Sequence, residues 1–160
     1  MRFDTWNIKS LNGREQETLQ ELKDHNIDIC ALQETKKKGK GQIQYQDYIL
    51  VYSGVDGHER AKEGVALLVH KKHKLNIDQC QYTSSRIIVV TIHLENQKKM
   101  NIISVYAPED NKPKKERELF YDQLQETIER QPANETMIVL GDFNARIGSE
   151  IIPGARFSNV

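Results

Sequence analysis

Four segments of the sequence place polar side chains directly after an apolar run, and the side chains are of types that hold divalent cations and move protons. A carboxylate in such a place is often only a helix cap or a turn former, so none of the four indicates a function by itself. Their conjunction is harder to explain structurally and indicates one catalytic site. The segments are Trp6-Asn7, Gln33-Glu34, Tyr106-Ala107-Pro108 and Gly141-Asp142-Phe143-Asn144.

The residue types within these segments suit a hard metal ion. Mg²⁺ is typically held by one or two carboxylates together with water and substrate phosphate, and Mn²⁺ accepts the same oxygen ligands. Glu34 and the amide oxygen of Asn7 are the candidate metal ligands. Asp142 and Asn144 are two positions apart, so they face the same side if the chain stays extended past Gly141. One of them could then take a proton while the other donates to a phosphate oxygen.

The elements that must position these residues can be read from hydrophobic periodicity and turn residues. Asn12 and Glu15 are spaced as a capping box at the start of the first helix, and Pro113 is placed at a first-turn position of the second. The pattern predicts a βαβ unit, an antiparallel meander, a second helix and a last buried strand, hence an α/β or α+β fold with mixed sheets. The predicted strands are 2–8, 27–32, 47–53, 64–71, 86–94, 100–106 and 137–140, and the predicted helices are 14–25 and 113–130.

Composition limits the possible classes of protein. With 160 residues we expect a single domain, and with 23 basic against 23 acidic residues any contact with nucleic acid must be local. Cys30 and Cys80 are expected to be buried and unpaired, which favours an intracellular compartment, nuclear or cytoplasmic. No apolar run reaches the length of a membrane span and the amino terminus lacks a signal peptide, so no membrane partner is expected.

The order of the four motifs resembles one family, the endonuclease/exonuclease/phosphatase superfamily. The resemblance covers residues 2 to 148 and rests on Thr5-Trp6-Asn7, Leu32-Gln33-Glu34-Thr35, Val105-Tyr106-Ala107-Pro108 and Gly141-Asp142-Phe143-Asn144-Ala145. The first and last motifs look most like the endonuclease domains of non-LTR retrotransposons and of the craniofacial development protein 2 type. Lys9, where repair-type members carry an acidic residue, favours the same branch.

The resemblance implies a four-layered α/β sandwich with two mixed sheets packed between helices. It also implies that Glu34 binds Mg²⁺ or Mn²⁺ with Asn7 nearby and that Tyr106 contacts the scissile phosphate. Asp142 and Asn144 would orient the attacking water and the phosphate. The implied activity is a metal-dependent endonuclease acting on a DNA substrate.

The superfamily's later Asp and its final Ser-Asp-His segment do not occur in this sequence, and all five histidines precede Gly141. We therefore expect a chain that is incomplete at its carboxyl end, a poor nuclease with exposed sheet faces that favour self-association. One alternative is a remnant that binds nucleic acid or partners without cutting. Another is a phosphoinositide or lipid phosphodiesterase, which the retrotransposon-like motifs disfavour. The oligomeric state stays open.

The lysines that follow Glu34, Lys36 to Lys38 and Lys40, have two interpretations. They could place positive charge beside a bound phosphate backbone, or they could form a solvated loop, and the sequence does not choose between the two. Trp6 is expected to pack in the core and hold Asn7 at the sheet edge, and His93 to be a polar strand residue.

Overall fold

Nine strands and two helices occupy the residues that the structure describes, which are 1–72, 77–94 and 98–144 of a computed structural model. The sequence also predicts a turn at Pro153-Gly154, within a tail from Gly148 onward that shows no clear element, and this segment lies outside the described residues. In chain order the elements are β1 (Phe3–Asn7), α1 (Glu15–Asp24), β2 (Ile29–Gln33), β3 (Lys40–Gln44), β4 (Tyr48–Ser53), β5 (Val65–His70), β6 (Ile77–Ser84), β7 (Ile87–His93), β8 (Lys99–Tyr106), α2 (Lys114–Glu129) and β9 (Thr136–Asp142).

The first sheet has the strand order β1-β2-β5-β4-β3. β1 and β2 are parallel and α1 connects them, which confirms the predicted βαβ unit. The other pairs in this sheet are antiparallel. All five residues of β2 are buried, because this strand has neighbours on both edges and packed layers on both faces.

The second sheet has the order β6-β7-β8-β9, antiparallel except for the parallel pair β8 and β9, which α2 connects. The prediction that the strands from residue 47 to residue 106 form one meander is wrong. β4 and β5 pair in the first sheet, whereas β7 and β8 pair in the second. Sequence alternation identifies strands but does not say which sheet each strand joins, since pairing is decided by long-range backbone hydrogen bonds.

Alternate residues of the strands face two different apolar layers. In β2, Ile29 and Ala31 join the cluster between the two sheets, whereas Cys30 and Leu32 pack toward α1 on the outer face. On the far side, Phe120 and Leu124 of α2 pack against the outer face of the second sheet. The layers are therefore helix, sheet, sheet and helix, as the four-layered sandwich requires.

Two strands and three local details differ from the sequence prediction. β3 and β6 were not predicted, because their sequences are largely polar. The prediction of a capping box is wrong, because Arg14 and not Asn12 is the N-cap residue of α1. The Asn12 amide instead donates to the carbonyl of Lys36 over 3.4 Å. Pro113 is the N-cap residue of α2, one position before the first turn. Cys80 is only partly buried, although Cys30 is buried as expected.

Neither described helix is long and apolar enough to cross a membrane.

Candidate active site

The candidate site lies where the carboxyl ends of two parallel strand pairs meet. In the first sheet Asn7 is the last residue of β1 and pairs with Gln33, the last residue of β2, so that Glu34 follows directly. In the second sheet Tyr106 ends β8 and pairs with Asp142, which ends β9. The ends of parallel strands share one edge of a sheet, which is where α/β folds place their ligands.

One amide nitrogen connects the two sheets. Asn7 Nδ2 donates to Glu34 Oε1 over 2.8 Å and to Asp142 Oδ2 over 3.2 Å. The Tyr106 hydroxyl donates to the same Glu34 oxygen over 3.1 Å. The two carboxylates and the phenol thus lie within one hydrogen-bonded group, to which strands from both sheets contribute.

Asp142 is held from its other side by the chain that follows it. Its Oδ1 accepts the main-chain N–H of Asn144 over 2.9 Å, and the Asn144 side-chain amide donates to the carbonyl of Ala107 over 2.7 Å. The sequence placed Asp142 and Asn144 on one side on the condition that the chain stays extended past Gly141. The strand β9 ends at Asp142, and Asn144 has a left-handed φ of 44°, so that condition is not met. All five predicted site residues lie close together. The side-chain amide of Asn144 donates its hydrogen bond to the main chain.

Left-handed backbone is concentrated around this group. Lys9, Glu34, Lys36 and Asn144 have φ values of 56°, 55°, 52° and 44°, although none of them is glycine. A residue with a Cβ adopts this region at a cost of about 1 to 2 kcal/mol, and such residues cluster at functional sites. The turns end the strands abruptly, so the side chains of Glu34 and Asn144 project beyond the sheets.

Tyr106 is a buried hydrogen-bond donor in this group. Its side chain is 5% exposed, and burial raises the pKa of the phenol above its ordinary value. Acceptance of its hydrogen bond by the Glu34 carboxylate raises the pKa further. The hydroxyl is therefore protonated at neutral pH and can donate to an anionic oxygen.

Comparison with known proteins identifies the family. The model of the Endonuclease/Exonuclease/phosphatase family matches residues 5–152. The chain belongs to this family. Craniofacial development protein 2 of Bos taurus is 34% identical over 151 residues, and that of Tragulus javanicus is 33% identical over 152 residues. Each alignment covers 94% of this chain, and the chain spans about a quarter of the length of these curated relatives.

Solved structures of low sequence identity share the fold. The catalytic domain of APE2 from Xenopus laevis superposes with a TM-score of 0.68 at 21% identity, covering 91% of this chain and 59% of that one. A 3'-5' exonuclease from Neisseria meningitidis gives 0.62 at 24% identity, covering 90% and 58%. TDP2 from D. rerio, complexed with a single-strand DNA product, gives 0.62 at 14% identity, covering 89% and 60%. The resemblance stated from the motifs is confirmed for the family and for the four-layered fold.

Enzymes of the endonuclease/exonuclease/phosphatase family are generally dependent on a divalent metal, and the residues present fit such a cation. Glu34 and Asp142 offer hard oxygen donors within hydrogen-bonding distance of one nitrogen. The described residues contain no group of three acidic, His or Cys side chains that could hold a metal, so water and substrate phosphate would complete the ligand set. Asn7 presents its nitrogen to the carboxylates, while its oxygen accepts the N–H of Lys9 over 3.3 Å, so ligation by the amide oxygen needs a rotated amide.

Two residues beside Tyr106 were missed by the sequence analysis. Glu63 and Arg86 form an ion pair of 2.7 Å between Oε2 and Nη2, and the guanidinium carbon lies 5.1 Å from the centre of the Tyr106 ring. The only sequence signal is that each charged residue comes just before an apolar strand. That signal does not show that the two side chains meet, because the strands that they precede, β5 and β7, belong to different sheets.

Lys36, Lys37 and Lys38 line a cleft together with Asn12 and Tyr52. Lys37 Nζ lies 3.5 Å from Glu15 Oε1 and above the Tyr52 ring, and Lys38 Nζ donates to the carbonyl of Gly57 over 3.0 Å. These two amines are therefore engaged within the protein, and both interpretations of the lysine run stay open. Trp6 packs partly buried on the α1 side of the first sheet, and His93 lies 3.3 Å from Asp78 at the end of β7.

Proposed function

We propose that this chain is a divalent-metal-dependent phosphodiesterase that cleaves the backbone of DNA, of the retrotransposon or apurinic endonuclease type. The observation that carries the proposal is the single Asn7 nitrogen that joins Glu34 of the first sheet to Asp142 of the second. Together with the hydrogen bond from Tyr106, this nitrogen holds two carboxylates and a phenol donor where the carboxyl ends of the parallel strands meet. This arrangement suits the binding of a phosphate and an attacking water. Similar folds in DNA-processing proteins support nucleic acid as the substrate class.

The residues divide the reaction between them. Asp142, oriented by Asn7 and by the N–H of Asn144, takes the proton of the attacking water as the water oxygen bonds to phosphorus. The bond from phosphorus to the leaving oxygen breaks, and that oxygen takes a proton from solvent. Tyr106 transfers its hydrogen bond to a phosphate oxygen, where donation offsets developing negative charge.

Glu34 would hold the cation, with Asn7 beside it. The chemistry supplied by such a cation is neutralisation of phosphate charge and polarisation of a phosphoryl oxygen. We place the protein inside the cell, nuclear or cytoplasmic, because both of its cysteines are free.

A plasmid-nicking assay with Mg²⁺ tests the activity. Asp142→Asn keeps the shape of the side chain and removes the base, so we expect the cleavage rate to fall by about 100-fold or more while duplex binding, followed by fluorescence anisotropy, is retained. Asp122→Asn, an exposed carboxylate on α2, is the matched control. Equal rates in Asp142→Asn and in the parent would refute the assigned base. A parent chain that binds duplex DNA without nicking it would favour the non-cleaving alternative.

Calorimetric titration with Mn²⁺ tests the metal ligand independently of cleavage. Glu34→Gln removes the charge but retains the size of the side chain, and we expect affinity to fall by about 10-fold or more. Asp122→Asn should bind as the parent does. Unchanged affinity in Glu34→Gln would remove Glu34 from the ligand set.

A further inference from the structure

Behind Tyr106, Arg86 and Glu63 form a nearly buried ion pair. The side chains are 13% and 10% exposed. The other Glu63 oxygen, Oε1, accepts the hydroxyl of Ser85, and Arg86 Nη2 also lies 3.4 Å from the Glu116 carboxylate. Arg86 therefore has acidic partners on two sides, which fixes the plane of its guanidinium group.

Arg86 contacts Tyr106 in three ways. The guanidinium lies over the phenol ring at 5.1 Å, Arg86 Nη1 donates to the Tyr106 carbonyl over 3.2 Å, and the Tyr106 N–H donates to the Arg86 carbonyl over 2.9 Å. A planar guanidinium on an aromatic face combines electrostatic attraction with stacking. The side chain of Arg86 thus contacts both the backbone and the ring of Tyr106. Arg86 itself lies in the short turn between β6 and β7.

The same ion pair is tied to the segment that carries Glu34. The carbonyl of Glu63 accepts the N–H of Lys36 over 3.0 Å, and the carbonyl of Gly64 accepts the N–H of Thr35 over 3.1 Å. Glu34 and Tyr106 belong to different sheets, and their hydrogen bond requires those sheets to keep one separation. The main chain at Glu63 and the side chain of Arg86 provide that link.

We propose that Arg86, anchored by Glu63, is a positioning residue that holds the Tyr106 ring so that its hydroxyl reaches Glu34 and, during cleavage, the phosphate. The contact with phosphate rests on the proposed function, whereas the placement of the hydroxyl does not. Displacement of a catalytic group by about 1 Å can reduce a rate by about 100-fold, so a residue of this kind acts on turnover more than on substrate binding.

The decisive variant is Arg86→Lys, which retains a positive charge opposite Glu63 but lacks the planar group. Arg86→Met is the stronger perturbation and leaves Glu63 without its ion-pair partner, so Arg86→Lys carries the test if Arg86→Met does not fold. Arg130→Met removes an exposed arginine paired with Glu126 and is the matched control.

The first measurement does not depend on cleavage. Labelling the six tyrosines with ¹³C at Cζ allows hydroxyl proton exchange to be followed by the deuterium isotope shift, with Tyr106 assigned by its loss in Tyr106→Phe. We expect exchange at Tyr106 to accelerate by about 10-fold or more in Arg86→Lys, because its hydrogen bond to Glu34 is weakened. Exchange at the other tyrosines, and in Arg130→Met, should match the parent. Unchanged exchange at Tyr106 would overturn the proposal.

The second measurement is the nicking assay. We expect kcat to fall by about 10- to 100-fold in Arg86→Lys with KM little changed, and Tyr106→Phe to cause little further loss when combined with it. Full additivity of the two substitutions would overturn the proposal, because Arg86 would then act apart from Tyr106. A parent chain without cleavage activity would instead contradict the proposed function, and hydroxyl exchange alone would then decide the placement of Tyr106.

Discussion

Gly141, which directly precedes Asp142 in β9, should tolerate a side chain poorly. Its φ is +150°, and a Cβ there would lie 2.8 Å from the carbonyl carbon of Val105 and nearer still to its oxygen. Val105 cannot retreat easily, because β8 is paired with β7 on its other edge. Backbone strain of about 1 to 3 kcal/mol and the overlap together predict that Gly141→Ala lowers the free energy of unfolding by about 3 to 5 kcal/mol.

Substitutions at two other glycines distinguish the cost of backbone strain from the cost of steric overlap. Gly13 has a φ of +78° and open space around the added Cβ, so Gly13→Ala should cost only about 1 to 2 kcal/mol. Gly57 has open space and no left-handed φ, so Gly57→Ala should leave stability within about 1 kcal/mol of the parent. Urea unfolding followed by circular dichroism measures all three, and Gly141→Ala should also melt on the order of 10 °C lower. The reasoning is refuted if Gly141→Ala is no less stable than Gly13→Ala.

Three further expectations concern titratable groups. The hydrogen bond from Lys99 lowers the pKa of the Asp78 carboxyl. The ionised carboxylate should therefore stabilise the fold at neutral pH, and this stabilisation should be lost as pH falls below about 4. In acid unfolding curves the parent and Asp78→Asn should converge. Burial raises the pKa of Tyr48 to about 12. The free energy of unfolding should therefore decrease as pH rises from about 10 to 12, and it should decrease less in Tyr48→Phe. Burial raises the thiol pKa of Cys30 and of the less buried Cys80, so iodoacetamide should modify Cys80 first in the native protein, as peptide mass spectrometry would show. Faster modification of Cys30, or pH profiles that do not differ between parent and variant, would contradict these assignments.

Strands with a strong apolar pattern could be predicted from the sequence, and the two largely polar edge strands, β3 and β6, could not. β5 and β7 consist largely of apolar residues because both of their faces are covered. β3 has the sequence Lys-Gly-Gln-Ile-Gln and forms one edge of the first sheet, with one neighbour, β4. Its strand conformation comes from backbone pairing with β4, which leaves no periodic signal in the sequence.

The site was predictable to the extent that local sequence marks the end of a strand. Asn7, Glu34, Tyr106 and Asp142 each follow an apolar run, and parallel pairing brings those ends together. The ion pair of Glu63 and Arg86 gives no comparable signal, because it depends on how the two sheets pack against each other. Residues that act through other residues are therefore harder to find from sequence than residues that contact substrate.

The hydrogen bond between Asn7 and Asp142 spans 135 positions of the chain, and it sets the order in which the site can be completed. During synthesis at about 5 to 20 residues per second, Asn7 and Glu34 leave the ribosome on the order of ten seconds before Asp142. Throughout that interval the Asp142 carboxylate cannot reach the Asn7 amide, so the group that joins the two sheets stays incomplete. A nascent chain consequently carries no assembled site until Asp142 has left the ribosome.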